Sequence, residues 1–133
     1  MKRRAFLGFC AAAGALAAGG CTTTADVRAD RGSGVIVSYA APFDKVWAAL
    51  PEILKELGLR VAGDNMAEGY ILVEHGASAF SWGERVAIFV ERIGTKGNSR
   101  VEVVSKGTLG ANITATDWAK PIHDKLAQRF RRL

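Results

Sequence analysis

The sequence predicts an α+β domain of two layers, in which an antiparallel sheet of four to five strands carries two helices on one face. Several segments alternate apolar and polar residues with a period of two, whereas two longer segments repeat apolar residues at helical spacing. Their order along the chain is strand, helix, four strands, helix. Because each helix has one apolar stripe and each strand one apolar face, both helices are expected to cover the same side of the sheet.

The first strand and the first helix are predicted from residues 35–57. Residues 35–39, VIVSY, are β-branched and aromatic, as is typical of a strand. Pro42 is expected at the first helical position, Gly58 at a left-handed C-cap, and Pro51 at a kink or break near Leu50. The apolar stripe of this helix consists of Phe43, Val46, Trp47, Leu50, Ile53, Leu54 and Leu57.

Four strands are predicted next, as two hairpins. Residues 59–62 and 70–75 flank a turn-rich segment at 63–69, and residues 85–93 and 100–106 flank a turn at 95–99. The apolar positions of the second hairpin are expected to face the helices. The opposite face is predicted to be solvated, with its carboxylates in cross-strand charge pairs: Glu74, Glu84, Glu91 and Glu102.

A second amphipathic helix is predicted over 116–132, capped by Thr116 or Asp117 and with Pro121 near its first turn. Its buried stripe is expected to comprise Trp118, Ile122, Leu126, Phe130 and Leu133. The basic residues near its end either compensate the helix dipole or contact anionic lipid headgroups, and the sequence leaves both open: Lys125, Arg129, Arg131 and Arg132.

Residues 1–20 have the organisation of an export signal, with three early basic residues, an apolar acid-free run and small residues at the end. Ala18-Gly19-Gly20-Cys21 resembles the lipobox of bacterial lipoproteins, which implies lipidation, including palmitate, at Cys21. The segment Arg3-Arg4-Ala5-Phe6-Leu7 resembles the twin-arginine pattern, carried by Arg3, Arg4, Phe6 and Leu7. The sequence leaves open whether export follows the twin-arginine or the general route.

Residues 21–34 are predicted to be the lipidated cysteine and a flexible polar tether, followed by a single domain over 35–133. Thr22 is not the Asp that resembles an inner-membrane retention signal in proteobacterial lipoproteins. The expected location is therefore the cell envelope, and in a Gram-negative organism the outer membrane, facing the periplasm.

Composition argues against several functional classes. Without residues 1–20 the chain has 15 basic and 13 acidic residues, so its basicity gives little support to nucleic-acid binding. Beyond Cys10 and Cys21 there are no cysteines, and His75 and His123 lack metal-ligand spacing. We therefore expect no metal, no cofactor and no enzymatic activity; no recognised nucleophile motif is present.

The element order and the Ala41-Pro42-Phe43 start of the first helix, continued by Val46-Trp47, resemble helix-grip domains and the domains of BamC-type outer-membrane lipoproteins. The favoured function is a lipid-anchored envelope protein that binds another envelope component, with Phe80 and Trp82 as candidate partner contacts. The alternative is a carrier of a hydrophobic ligand, in a helix–sheet cavity lined by Trp47, Phe89, Trp118 and Phe130. Neither the partner nor the oligomeric state follows from the sequence.

Overall fold

The computed structural model describes residues 29–75, 84–107 and 117–133. These residues form five strands and two helices in the predicted order: β1 (Val35–Tyr39), α1 (Phe43–Glu56), β2 (Arg60–Asn65), β3 (Tyr70–His75), β4 (Glu84–Ile93), β5 (Asn98–Gly107) and α2 (Ala119–Arg129). The strands make one antiparallel sheet in the order β1-β5-β4-β3-β2. The predicted α+β class is confirmed.

Helix α1 buries the predicted stripe against the sheet. Five of the seven stripe residues are buried, and Trp47 and Leu57 pack against them half-buried. The helix is followed by Gly58 in the predicted left-handed conformation. Its φ of +73° suits a residue without a Cβ. The amide of Gly58 donates to the carbonyl of Lys55, and that of Leu59 to Leu54, the pair of bonds that defines a Schellman motif.

Both prolines of α1 differ from expectation. Pro42 has extended dihedrals and is the N-cap, one residue before the helix, not its first residue. The helix also continues without a break through Pro51. Pro51 is exposed, so its ring lies on the solvent side, while buried stripe residues before and after it pack into the core.

The core lies between the two helices and one face of the sheet. The strands contribute the predicted alternating valines and isoleucines, and α2 contributes Ala119, Ile122 and Leu126. Leu133, which was predicted to complete the stripe of α2, is wrong in that role: it is 58% exposed. The chain leaves the helix at Phe130, and Leu133 instead donates its amide to the carbonyl of Ser38 in β1.

Two element boundaries also differ. Gly63, Asp64 and Asn65, predicted as turn, belong to β2, because a β-bulge between Val61 and Gly63 restores the register with β3. The turn is Met66–Gly69, closed by the amide of Gly69 on the carbonyl of Asn65 at 2.8 Å. Helix α2 is shorter than predicted, and its N-cap is Trp118, not Asp117. Asp117 lies one residue before the N-cap, where its Oδ1 accepts from the amide of Ala119 at 3.0 Å.

Candidate binding surface on the outer sheet face

The sheet face turned away from the helices, here called the outer face, is apolar at its centre. Ala87, Phe89 and Val104 are at most 7% exposed, and Tyr70 and Leu72 pack against them half-buried. The prediction of a wholly solvated outer face is therefore wrong at its centre. The polar pattern of β4 and β5 gave no sign of this second cluster, because only one large apolar residue on each strand contributes to it.

Residues Asp30–Gly34, here called the strap, lie across this face. The strap leads back from edge strand β1, over Glu102 of β5, to Phe89 and Glu91 of the central strand β4. Glu102 is only 6% exposed, and its Oε1 accepts from the amides of Gly32 and Gly34 at 2.7 and 2.9 Å. The segment 30–34, which the sequence placed in the tether, thus contacts the outer face, and Glu102 accepts from backbone amides rather than from a cross-strand cation.

The two glycines of the strap serve different purposes. Gly32 has a φ of +93°, a conformation that L-residues with a side chain rarely adopt. At Gly34 the limit is space: an added Cβ would come within 2.7 Å of Cγ2 of Val104 and would also meet the backbone of Val103. The strap consequently lies flat on the sheet.

Arg31 fastens the strap to the central strand. Its guanidinium lies 4.9 Å from the ring centroid of Phe89 and 3.5 Å from Oε1 of Glu91. Glu91 also accepts from Arg100, its predicted cross-strand partner. The hydrogen bond from Arg100, aided by the positive charges of Arg100 and Arg31, holds the pKa of Glu91 below its usual range.

Two depressions adjoin Arg31 and Glu91. One, of about 280 Å³, has Phe89 and Ile36 with Arg100 and Glu102 in its lining. The other, of about 320 Å³, lies where the β2–β3 turn meets the start of α1 and includes Phe43 and Met66. Both carry arginine and glutamate side chains, so their lining suits a polar or charged segment better than a buried hydrocarbon.

The four aromatic residues predicted to line a carrier cavity do not converge. Trp47, Trp118 and Phe130 pack against the helix-side core, whereas Phe89 lies on the outer face beneath Arg31. The space between helices and sheet is filled by side chains that are almost completely buried. The proposed ligand-lining set is therefore wrong.

The predicted functional residues lie outside the described residues. This holds for Cys21, for the signal residues Arg3, Arg4, Phe6 and Leu7, and for Phe80 and Trp82. The described residues on either side of Phe80 and Trp82 in the sequence are His75, the last residue of β3, and Glu84, the first of β4. They pair with each other at the opposite end of the sheet from the β2–β3 turn.

His123 is a structural residue. It is 2% exposed, its Nε2 donates to the carbonyl of Val35 at 2.9 Å, and its Nδ1 accepts from the hydroxyl of Tyr39 at 2.8 Å. A neutral ring with its proton on Nε2 fits this arrangement. Burial, the largest cause, lowers the pKa of His123, and burial raises the pKa of Tyr39 to about 12.

The basic residues of α2 make ion pairs with carboxylates. Arg129 pairs with Glu52 and Glu56 of α1, and Lys125 also pairs with Glu56. Arg132 pairs with Asp124 at 3.3 Å. The pairs made by Arg129 and Lys125 join the two helices, and Arg129 also lies in the last turn of α2, where a positive charge compensates the helix dipole.

Among the described residues, no helix is long and apolar enough to cross a membrane. The same part of the chain contains no group of three or more histidine, cysteine, aspartate or glutamate side chains placed to hold a metal ion.

Comparison with protein families gives a match over residues 25–130, to the model described as outer membrane protein assembly factor BamC-like C-terminal domain. The chain belongs to this family. The match confirms the BamC-type resemblance and begins ten residues before β1, so the BamC-like domain includes the strap. No match was found among curated proteins.

Proposed function

We propose that this protein is an exported lipoprotein whose BamC-like domain binds a protein component during assembly of the outer membrane, without enzymatic activity. The observation that carries the proposal is the order along one chain: a signal-like segment ending at Cys21 is followed within a few residues by a domain of the BamC-like family. Such an order suits a domain held at a membrane surface.

The proposed lipid attachment is at Cys21, after removal of residues 1–20. A single acyl chain gives only marginal membrane binding, and the multiple chains of a lipoprotein cysteine would make the attachment stable. The domain itself offers no competing use for a thiol, since residues 22–133 contain no cysteine. Outer-membrane location follows, in this proposal, from Thr22 after the lipidated residue.

The proposed partner contact is the β3–β4 connection, through Phe80 and Trp82. Large aromatic residues supply much of the binding energy in protein interfaces. The residues that flank this connection, His75 and Glu84, pair with each other at the end of the sheet opposite the β2–β3 turn.

Lipidation is tested by growth with a clickable fatty acid, comparing the native chain with Cys21→Ser. We expect label in the native protein and none in the variant. Label retained in Cys21→Ser, or a native protein that stays in the soluble fraction, would overturn the lipoprotein proposal.

Partner binding is tested with a photocrosslinking amino acid at Phe80 or Trp82. Met66 is the matched control, because it is 49% exposed and lies in the turn at the opposite end of the sheet. We expect discrete crosslinked products with outer-membrane assembly proteins from positions 80 and 82 only. The proposed contact would be contradicted if position 66 gave the same crosslinked products as positions 80 and 82, or if neither position 80 nor position 82 gave any.

A further inference from the structure

The strap determines where the chain leaves the domain on its way to Cys21. It begins at Asp30 and is held to the outer face by two amide bonds to Glu102 of β5 and by the side chain of Arg31, which contacts Phe89 and Glu91 of the central strand β4. Without these contacts the connecting chain would start at Val35, on an edge strand, and could pass to either side of the sheet.

The free connection is short. Eight peptide steps separate Cys21 from Ala29, the first described residue, and even fully extended they reach about 29 Å. In general, eight residues of unstructured polypeptide have a typical end-to-end distance of only about 16 Å.

Reaching the helix side from the strap takes most of that length. The path must pass edge strand β1, at least one strand spacing of about 4.8 Å away from β5, and then the sheet and a helix layer about 10 Å thick. Together these require about 20 Å, which is more than the typical distance and about two-thirds of the fully extended limit. If Cys21 lies on the side of the outer face, the connection does not have to pass around the sheet.

We infer that, on a membrane, the strap turns the outer face of the sheet toward the lipid surface and presents both helices to the aqueous side. This inference rests on the proposed lipid attachment at Cys21. The surface facing the lipid headgroups would include Arg60 and Glu74 at the β2 side and the strap at the centre, all on the outer face.

The test measures the distance of each face from the bilayer. The full chain is expressed and purified as the lipoprotein, carrying a single added cysteine, either Arg60→Cys on the outer face or Lys45→Cys on the solvent side of α1. Both positions are exposed and both substitutions remove one positive charge. The added thiol is labelled with a donor fluorophore, and the protein is placed in vesicles whose headgroups carry an energy-transfer acceptor.

We expect transfer from position 60 to exceed that from position 45 severalfold. Inserting sixteen Gly/Ser residues after Ala25 keeps the strap but lengthens the connection, and should bring the two efficiencies close together. Arg31→Ala combined with Glu102→Gln should reduce the difference by releasing the strap. Arg92→Ala is the matched control, because Arg92 also lies over an aromatic ring, Phe43 at 4.1 Å, and pairs with Asp44, but both of these partners belong to α1 and not to the strap.

Equal transfer from the two positions in the unmodified chain, or greater transfer from position 45, would overturn the inferred orientation. An orientation difference that persists unchanged in the long-linker variant would also overturn it, since the short connection would then not be its cause. Failure of the lipoprotein proposal would give a different result. The protein would not associate with vesicles, and the free thiol of Cys21 would react with the thiol-reactive donor fluorophore.

Discussion

The two faces of the sheet are covered in different ways. On one face, two helices bury a continuous core of aliphatic residues; on the other, a five-residue strap covers a small cluster around Phe89 with two amide bonds to one buried carboxylate and one arginine. The helix face is held by area removed from water, and the outer face by a few directional contacts. Stability should therefore reside mainly in the first, and the placement of the chain's N-terminal connection in the second.

The largest effect is expected from Leu50→Ala in the helix-side core. Leu50 is completely buried between α1 and the sheet, so its truncation loses apolar burial and leaves a cavity. We expect a loss of about 2–5 kcal/mol in the free energy of unfolding, measured by urea denaturation. A loss below about 1 kcal/mol would show that the two faces do not differ as proposed.

The second-largest loss of stability is expected from Gly34→Ala, because the added methyl group would collide with Val104 and the backbone of Val103. We expect a loss of about 1–3 kcal/mol by urea denaturation. Gly63→Ala is the matched control: it lies in β2, and nothing comes within 4 Å of its added Cβ. Similar losses in both variants would mean that close packing of the strap is not the cause.

Glu102→Gln should release the strap while leaving the helix face intact. The amide oxygen can still accept a hydrogen bond but lacks the negative charge, so we expect a loss of about 1–2 kcal/mol. Hydrogen exchange should accelerate at the amides of Gly32 and Gly34 and remain slow in α1. If exchange accelerated equally in α1, the two faces would unfold as one unit.

The smallest effect concerns His123 on the helix face and depends on pH. Because the folded state lowers its pKa, the unfolded chain takes up the proton first as pH falls below about 6.5. Stability should decline from that pH down to the lower pKa of the folded state, and then level off. The charged groups that act on the ring are Arg132 and Asp124.

His123→Gln retains a donor for the carbonyl of Val35 but has no titrating ring. In urea denaturation between pH 6.5 and 5, its stability should vary less with pH than that of the native protein. An unchanged pH dependence would assign the decline to another group.

The sequence predicted the secondary structure correctly wherever apolar residues repeat at a regular spacing. The stripe from Phe43 to Leu57 and the positive-φ glycine at Gly58 are local signals, and both were confirmed. The helix-side positions of β4 and β5 were equally clear, because alternation assigns residues to two faces. Alternation does not show what covers each face, and so the apolar cluster around Phe89, on the face predicted to be solvated, was not foreseen.

The strap escaped prediction for a physical reason. Residues 30–34 contain no large apolar side chain, and their attachment depends on backbone amides meeting Glu102, about seventy residues away in sequence. The only local signal was the spacing of Gly32 and Gly34, which also occurs in ordinary linkers. The β-bulge that allows Gly63–Asn65 to belong to β2 was not predicted either, because glycine, aspartate and asparagine are typical of turns.

The outer edge of β1 has a consequence for the order in which the protein can fold. Val35 pairs with Val103 on one side of the strand, while on the other side Ser38 and Ala40 bond to Leu133 and Arg131. The first strand to be synthesised thus receives both neighbours from the last third of the sequence. Such non-local pairing is slow, and it leaves an unpaired edge while the chain is incomplete. Folding of this domain should therefore be completed only after its last residues have been released, whichever compartment they reach first.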